Sequence, residues 1–233
     1  MAQHTTLKPA ESAEQQILEK IISGGYPAGK ALPSERELAV ELKVTRPTLR
    51  EVLQRLARDG WLDIRHGKPT IVRKYMEDGN LAILSTLAEK VETFPAEMVE
   101  QVLRTRLMLA PEYTRLAITH ASADVEKALQ GIAEGSDDPA LLAKLDHQMQ
   151  KVLTRLSGNS ILVLTVNNLE TLYIKALTVF YQNEEARKQA RVYFRMVYKA
   201  ARAGEPDAAE AITRRVMLES IQLWEGTKGV QGQ

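Results

Sequence analysis

PSERELAVELKVTRPTLREVLQRLARDGWLDIRHGKPTIV, residues 33–72, decides how this chain folds. Ser34, followed three residues on by Glu37, is a capping box: the serine caps a helix N-terminus and the glutamate reaches back. The helix it opens, roughly 35–42, is short. Lys43-Val44 supplies a tight turn and Thr45 caps the next helix. Pro47 suits that helix's first turn, where a missing N–H costs nothing. This second helix covers about 46–58 and ends at Asp59-Gly60, with Leu49, Val52, Leu53 and Leu56 as its apolar stripe. Two short helices joined by about three residues of turn are a helix-turn-helix pattern. Beyond them Leu62 and Ile64 alternate with polar residues, His66-Gly67 turns the chain, and Thr70, Ile71 and Val72 resume an extended run. That is a β-hairpin, placed as a wing.

Outward from this motif, residues 12–23 set Ile17, Leu18, Ile21 and Ile22 on one helical face, and GGYPAGKALP at 24–33 interrupts it. Residues 75–80 have the polarity of a linker. From Leu81 to about Trp224 the apolar pattern is helical nearly throughout. Breaks fall near Phe94-Pro95, Gly135–Pro139, Gly158-Asn159, Gln182-Asn183 and Gly204–Pro206. The expected fold is mainly α. A winged helix-turn-helix over 1–74 precedes an all-α antiparallel bundle of six or seven helices over 81–233.

Composition narrows the chemistry. With no cysteine among 233 residues, disulfides, thiolate metal sites and cysteine nucleophiles are excluded. The polar N-terminus lacks the apolar core of a secretion signal. No stretch approaches the roughly 18 apolar residues of a membrane span, so a cytoplasmic protein with no membrane partner is expected. The net charge of +1 hides an asymmetry: residues 36–74 carry 10 Lys and Arg against 5 Asp and Glu. A basic cluster within a near-neutral chain fits a nucleic-acid module joined to a domain of another kind.

The second helix of such a motif lies in the major groove with its N-terminal residues at the base edges. Here that end carries Thr45, Arg46, Thr48 and Arg50. Arginine grips guanine O6 and N7 with two parallel hydrogen bonds, worth about 1–3 kcal/mol of discrimination. Threonine hydroxyls and helix N-terminal N–H groups suit phosphate oxygens. Arg36 opens the preceding helix within reach of phosphate or a base. His66 and Gly67 form a small wing tip for the minor groove, and Lys68 adds charge. The plainer reading of each arginine is a solvated surface charge. Their gathering at one end of the motif, opposite an aliphatic face, favours duplex recognition. Arg55 and Arg58, later in the helix, suit the plainer reading.

The second half offers no catalytic set. Its histidines, His120 and His147, lack partners at metal-ligand spacing, as do His4 and His66. Asp146 and His147 are neighbours and diverge on a helix; their plainer reading is a solvent-facing turn. Arg104 and Arg106, two apart in the apolar helix VEQVLRTRLMLA, point to different sides. An inward one needs an anionic partner. Tyr173, Lys175, Phe180 and Tyr181 fall in another apolar helix, and Met217, Ser220 and Trp224 share a face near the C-terminus. These faces read either as ordinary bundle core or as the walls of a ligand cavity.

Residues 33–72 resemble the N-terminal domain of the GntR family. TLREVLQRLARDGWL followed by HGKPT resembles in particular its fatty-acid-responsive branch, and weaker resemblance continues in NLAILSTLAEKV, SGNSILVLTVNNLETLY and NEEARKQARVYF. The resemblance implies operator contacts from Arg36, Arg46, Arg50 and His66, assisted by Thr45, Thr48 and Gly67. Pro47 replaces a threonine of that branch. Another branch binds a metal through an aspartate and three histidines. Here Asp146 keeps the aspartate, while Gln150, Arg195 and a residue near Leu218 hold the other positions, too few ligands for a divalent metal. The resemblance therefore implies a homodimer on palindromic DNA, without a cofactor. Long-chain acyl-CoA would release it from a cavity lined by Leu103, Arg106, Tyr173, Phe180, Ser220 and Trp224. Val216 and Met217 replace a tyrosine and a glycine there. Repressed degradation genes and activated unsaturated fatty-acid synthesis genes are the implied targets. The nearest alternative is a GntR regulator of a small carboxylate. An acyl-CoA thioesterase would need a nucleophile with a base in reach, which Ser220 beside Glu219 does not provide. A DNA-binding protein without a ligand is a third alternative.

Overall fold

The computed structural model describes residues 8–90 and 94–231; His4 and the polar stretch around it lie outside them. By contacts the chain divides into two compact units, residues 1–90 and 91–233.

The first unit opens with α1 (Pro9–Ile22), three residues earlier than the apolar pattern alone indicates. The reason is local: Pro9 occupies the first turn, and Glu11 accepts a hydrogen bond from the Lys8 backbone N–H at 3.1 Å. Helices α2 (Glu35–Glu41) and α3 (Arg46–Arg58) follow. The capping box holds as read: Ser34 Oγ accepts from the Glu37 N–H at 3.3 Å, and a Glu37 oxygen accepts from the Ser34 N–H at 2.9 Å. The turn between α2 and α3 places Lys43 at φ 54°, in the left-handed region. Leu49, Val52, Leu53 and Leu56 of α3 are buried with Ile17 and Ile21 of α1, and Leu38 of α2 is buried too. At about 1.5–3 kcal/mol for each such side chain, this core holds the motif together.

The wing consists of β1 (Leu62–Asp63) and β2 (Ile71–Val72), antiparallel with Leu62 opposite Val72. Its other edge meets the chain before α2. Ala31 bridges Ile71, and the Leu32 N–H donates to the Thr70 carbonyl at 2.8 Å. Gly60, at φ 94°, ends α3 and feeds Trp61 into the core.

The segment expected as a linker instead contains a helical turn, α4 (Tyr75–Asp78). Polarity suggested a linker, but the Tyr75 ring packs on Trp61, centroids 4.8 Å apart. Helix α5 (Leu81–Lys90) groups with this unit rather than with the bundle it was expected to open. Ile83 is 2% exposed and occupies the space left by two glycines: a Cβ at Gly79 would lie 2.2 Å from its Cδ1, and one at Gly60 3.4 Å.

The second unit is all helix among the described residues: α6 (Ala96–Leu129), α7 (Pro139–Leu156), α8 (Ser160–Asn168), α9 (Glu170–Phe180), α10 (Glu184–Ala203) and α11 (Pro206–Gln231). Helix α6 is the central member, packed against α7, α9, α10 and α11. Its backbone leaves helical geometry at Ala121 (φ −151°, ψ 49°), which redirects its last turns. The breaks at Pro95, Pro139, Asn159, Asn183 and Pro206 match the expected ones. The separation of α8 from α9 at Leu169 was not read in the sequence, where one apolar pattern runs across it. No helix among the described residues is long and apolar enough to cross a membrane.

Candidate functional site

The helix-turn-helix assembles most of its expected contact residues at one corner. Thr45 caps α3, accepting from the Thr48 N–H at 3.3 Å, and its hydroxyl lies 2.9 Å from that of Thr48. Arg36, Lys43, Thr45 and Arg46 line one open concavity of about 440 Å³ with Ala39, Val40 and Val44. Val40 is 76% exposed in its wall, an apolar group left uncovered beside four polar ones. Among the described residues Arg36 and Arg46 have no carboxylate within 4 Å, so no described residue neutralises either. Arg50 differs: its Nε donates to Glu35 at 2.9 Å. A base or phosphate must share or displace that carboxylate. His66 and Gly67 stand exposed at the wing turn. Gly67 has φ 70° and open space where a Cβ would be, so backbone geometry rather than crowding favours glycine there.

The bundle centres on a buried ion pair. Of the two arginines Arg106 turns inward, and one terminal nitrogen donates to both oxygens of Asp146 at 2.9 Å. Arg104 turns outward to Glu100 and Glu225. Asp146 is fully buried and accepts three further hydrogen bonds, from Gln150 at 2.8 Å, Tyr173 at 3.0 Å and Tyr181. Gln150 in turn accepts from Tyr113 at 2.6 Å. A buried carboxylate survives only with such satisfaction. Burial works against the Arg106 charge most strongly, but Asp146 and the neighbouring Tyr173, Tyr181 and Tyr193 together hold the guanidinium above its usual range. Burial pushes the Tyr113, Tyr173 and Tyr181 hydroxyls well up, and Tyr193 up to about 12, so all four stay protonated.

Asp146 and His147 were expected on a solvent-facing turn; both are buried, facing different ways. Asp146 is the main residue not singled out in the sequence, where it stands as part of a solvent-facing turn or as the remnant of a metal site. The inward arginine was the available signal, since it called for an anion. Gln150, where the metal-binding branch carries a histidine, is a donor to that same aspartate; Arg195 and Leu218 are exposed.

Beside the ion pair lies a cavity of about 10 Å³, room for roughly one water. Arg106, Phe180 and Ser220 line it, together with Asp146, Tyr181 and Met217. Leu103 is fully buried, and Tyr173 reaches the network through its hydroxyl, but neither lines the cavity. Trp224 is half-buried; its ring lies 6.3 Å from that of Phe180, and its Nε1 donates to the Ala96 carbonyl at 3.2 Å. The Nε–H of Arg106 is buried without a hydrogen-bond partner.

Residues 9–72 match the profile of bacterial regulatory proteins of the gntR family, and residues 73–230 that of the FadR C-terminal domain. The chain belongs to the GntR family, among the fatty acid metabolism regulators. The fatty acid metabolism regulator protein of Shewanella pealeana is 38% identical over 94% of this chain and 92% of its own length. That of Escherichia fergusonii is 36% identical over 97% of each, and that of Pectobacterium atrosepticum 39% identical over 93% and 90%. In fold the regulator is similar to Lar of Listeria monocytogenes, with a TM-score of 0.65, 16% identity, and 95% and 99% of the two chains covered. Proteins of this family are transcription regulators, not enzymes.

Proposed function

We propose that this regulator binds a palindromic operator as a homodimer in the cytoplasm and is released by long-chain fatty acyl-CoA, with no resident cofactor. Arg36, Arg46, Arg50 and His66 read the duplex, with Thr45, Thr48 and Gly67 positioning its backbone. Two copies related by a twofold axis place two α3 helices on successive major-groove faces, which a palindrome matches.

The observation that carries the effector reading is the unpaired Arg106 Nε–H beside a small cavity of mixed polar and apolar walls. A thioester carbonyl is a suitable acceptor for that donor, and Leu103, Phe180 and Trp224 offer apolar and aromatic surface for the chain. Ligand pockets usually occupy roughly 300–1,000 Å³. A cavity of about 10 Å³ therefore has to open by parting the walls and loosening the Arg106–Asp146 network. That requirement supplies the switch. The closed bundle and the open one differ in packing, and acyl-CoA binds only the open one. If the operator is bound best with the bundle closed, ligand and DNA weaken each other by the same factor. Each buried CH₂ adds about 0.8 kcal/mol, so affinity grows with chain length until the opened cavity is filled.

A gel shift on the operator with acyl-CoAs of graded length tests this. Micromolar oleoyl-CoA is expected to abolish the shifted band while short acyl-CoAs leave it. An unchanged band with every acyl-CoA would rule the effector reading out.

A further inference from the structure

On the face of α7 turned away from Asp146 there is a second concavity, larger than the one beside Arg106. It lies among α7, α8 and α9 and measures about 770 Å³. Lys144, His147, Lys151 and Arg155 recur along α7 at helical spacing and line it. Val152, Val163 and Ile174 give it apolar walls.

His147 is the unusual member. It is 3% exposed, yet neither ring nitrogen has a hydrogen-bond partner. Its Nε2 lies 3.4 Å from a Glu170 oxygen, within ion-pair distance but without hydrogen-bond geometry. A buried polar group without a partner costs about 1–3 kcal/mol. Glu170 is instead bonded to Lys151 at 3.1 Å. Among the described residues Lys144 and Arg155 have no carboxylate within 4 Å. Three cations thus face one carboxylate around a neutral imidazole.

We propose that this groove is a second ligand site, for a small organic anion whose carboxylate or phosphate head is held by His147 and Lys151 while its apolar body lies on Val152, Val163 and Ile174. Lys144 and Arg155, to either side along α7, add positive field at the two ends. The head shares Lys151 with Glu170, so Glu170 weakens binding by competing for the same cation. The site is separate from the Arg106 cavity and does not depend on the acyl-CoA reading.

The anion has a titration signature. The charged and titratable groups about His147 are Asp146, Lys144, Lys151 and Arg155 on α7, with Glu170 and the Tyr173 ring on α9; α8 contributes Asn167 but no charge. Burial lowers the His147 pKa against the pull of Glu170. An anion brought within about 4–6 Å favours the imidazolium and raises that pKa by about one unit or more. Binding therefore strengthens as the pH falls.

The test follows histidine ring signals of the full chain by NMR during titration with octanoate, octyl phosphate and inorganic phosphate, with His147→Gln assigning the signal. The signals of His147 are expected to shift saturably with millimolar octanoate or octyl phosphate. Its titration midpoint should rise by about one pH unit while those of His66 and His120 stay in place. Whichever of the two probes saturates at lower concentration identifies the head as carboxylate or phosphate. Lys151→Glu, a change at an exposed position, should abolish the shift, and Glu170→Gln should lower the half-saturating concentration. If His147→Gln does not fold, Lys151→Glu alone decides, since loss of the response marks the groove. Three results would overturn the site: an unmoved His147 with every probe, an equal response in Lys151→Glu, or inorganic phosphate acting as well as octyl phosphate.

Discussion

At the residue scale, the corner shared by Arg36, Lys43, Thr45 and Arg46 offers two kinds of proposed contact with DNA. Arg46 opens α3, the helix proposed to enter the major groove, where a guanidinium would distinguish bases. Lys43 sits in the turn before it, a compact charge suited to phosphate. Arg46→Ala is expected to weaken operator binding by about 1–3 kcal/mol and to relax preference at one base position. Lys43→Ala should weaken binding to all sequences alike and reduce the salt dependence by about one counterion. Fluorescence anisotropy with operator and scrambled duplexes at several salt concentrations reads both. Equal losses on both duplexes for Arg46→Ala would place that arginine on phosphate. These residues were legible in the sequence because caps and turns are local: Ser34, Thr45, Pro47 and Gly60 fix where helices begin and end, and hence which side chains stand at the exposed ends. Asp146 was not legible, because its partners arrive from residues 106, 173 and 181, brought to it only by packing.

At the element scale, two contacts between neighbouring pieces can be probed by substitution. Gly79 follows α4, and a Cβ there would meet both the Tyr75 carbonyl oxygen and the Ile83 Cδ1 at 2.2 Å. The carbonyl belongs to backbone and cannot simply rotate away. Gly79→Ala is therefore expected to cost about 1–3 kcal/mol as overpacking, seen as a lower urea midpoint. A variant as stable as the parent would mean that α4 is free to shift. In the bundle, Asp146→Ala strands the buried Arg106 charge and should cost about 3–5 kcal/mol. The double change Arg106→Met with Asp146→Leu removes both charges but leaves Gln150, Tyr173 and Tyr181 without their acceptor, so it should cost less than the single change without reaching the parent's stability. If the single and double variants unfold at the same urea concentration, the ion pair does not hold α6 to α7. Helix spans in this half were largely legible, because proline and asparagine punctuate them. The Leu169 break between α8 and α9 and the bend at Ala121 were not, since neither has a proline or glycine at the site. The residues at 75–90 read as a linker and the start of a bundle helix. Only the packing of Tyr75 on Trp61, and of Ile83 over Gly60 and Gly79, ties them to the winged unit.

At the scale of the whole molecule, the buried hydroxyls set an alkaline limit. Tyr113, Tyr173, Tyr181 and Tyr193 are all buried in the bundle and hydrogen-bonded to Gln150, Asp146, Asp146 and Thr213. Burial raises their pKa values above the ordinary 10.0, to about 12 for Tyr193 and well above for the others. Below pH 10 the folded and unfolded chains both hold these protons, and the stability the hydroxyls contribute is fully present. Above it the unfolded chain releases protons that the folded one retains, so stability falls as the pH climbs through 10 towards the folded values. His147 acts at the other end. Its lowered pKa means that stability present above its ordinary 6.5 declines as the pH falls below that value, because the unfolded chain takes up the proton first. The bundle should therefore be most stable between about pH 6.5 and 10. In an alkaline titration followed by tyrosinate absorbance and helical circular dichroism together, the four buried hydroxyls should ionise only as the helical signal is lost, in one shared transition. Ionisation of these four near pH 10 with the helices intact would show that water reaches the Arg106–Asp146 network. The bundle would then already be open in the ligand-free regulator, and the switch proposed for acyl-CoA would lose its closed state.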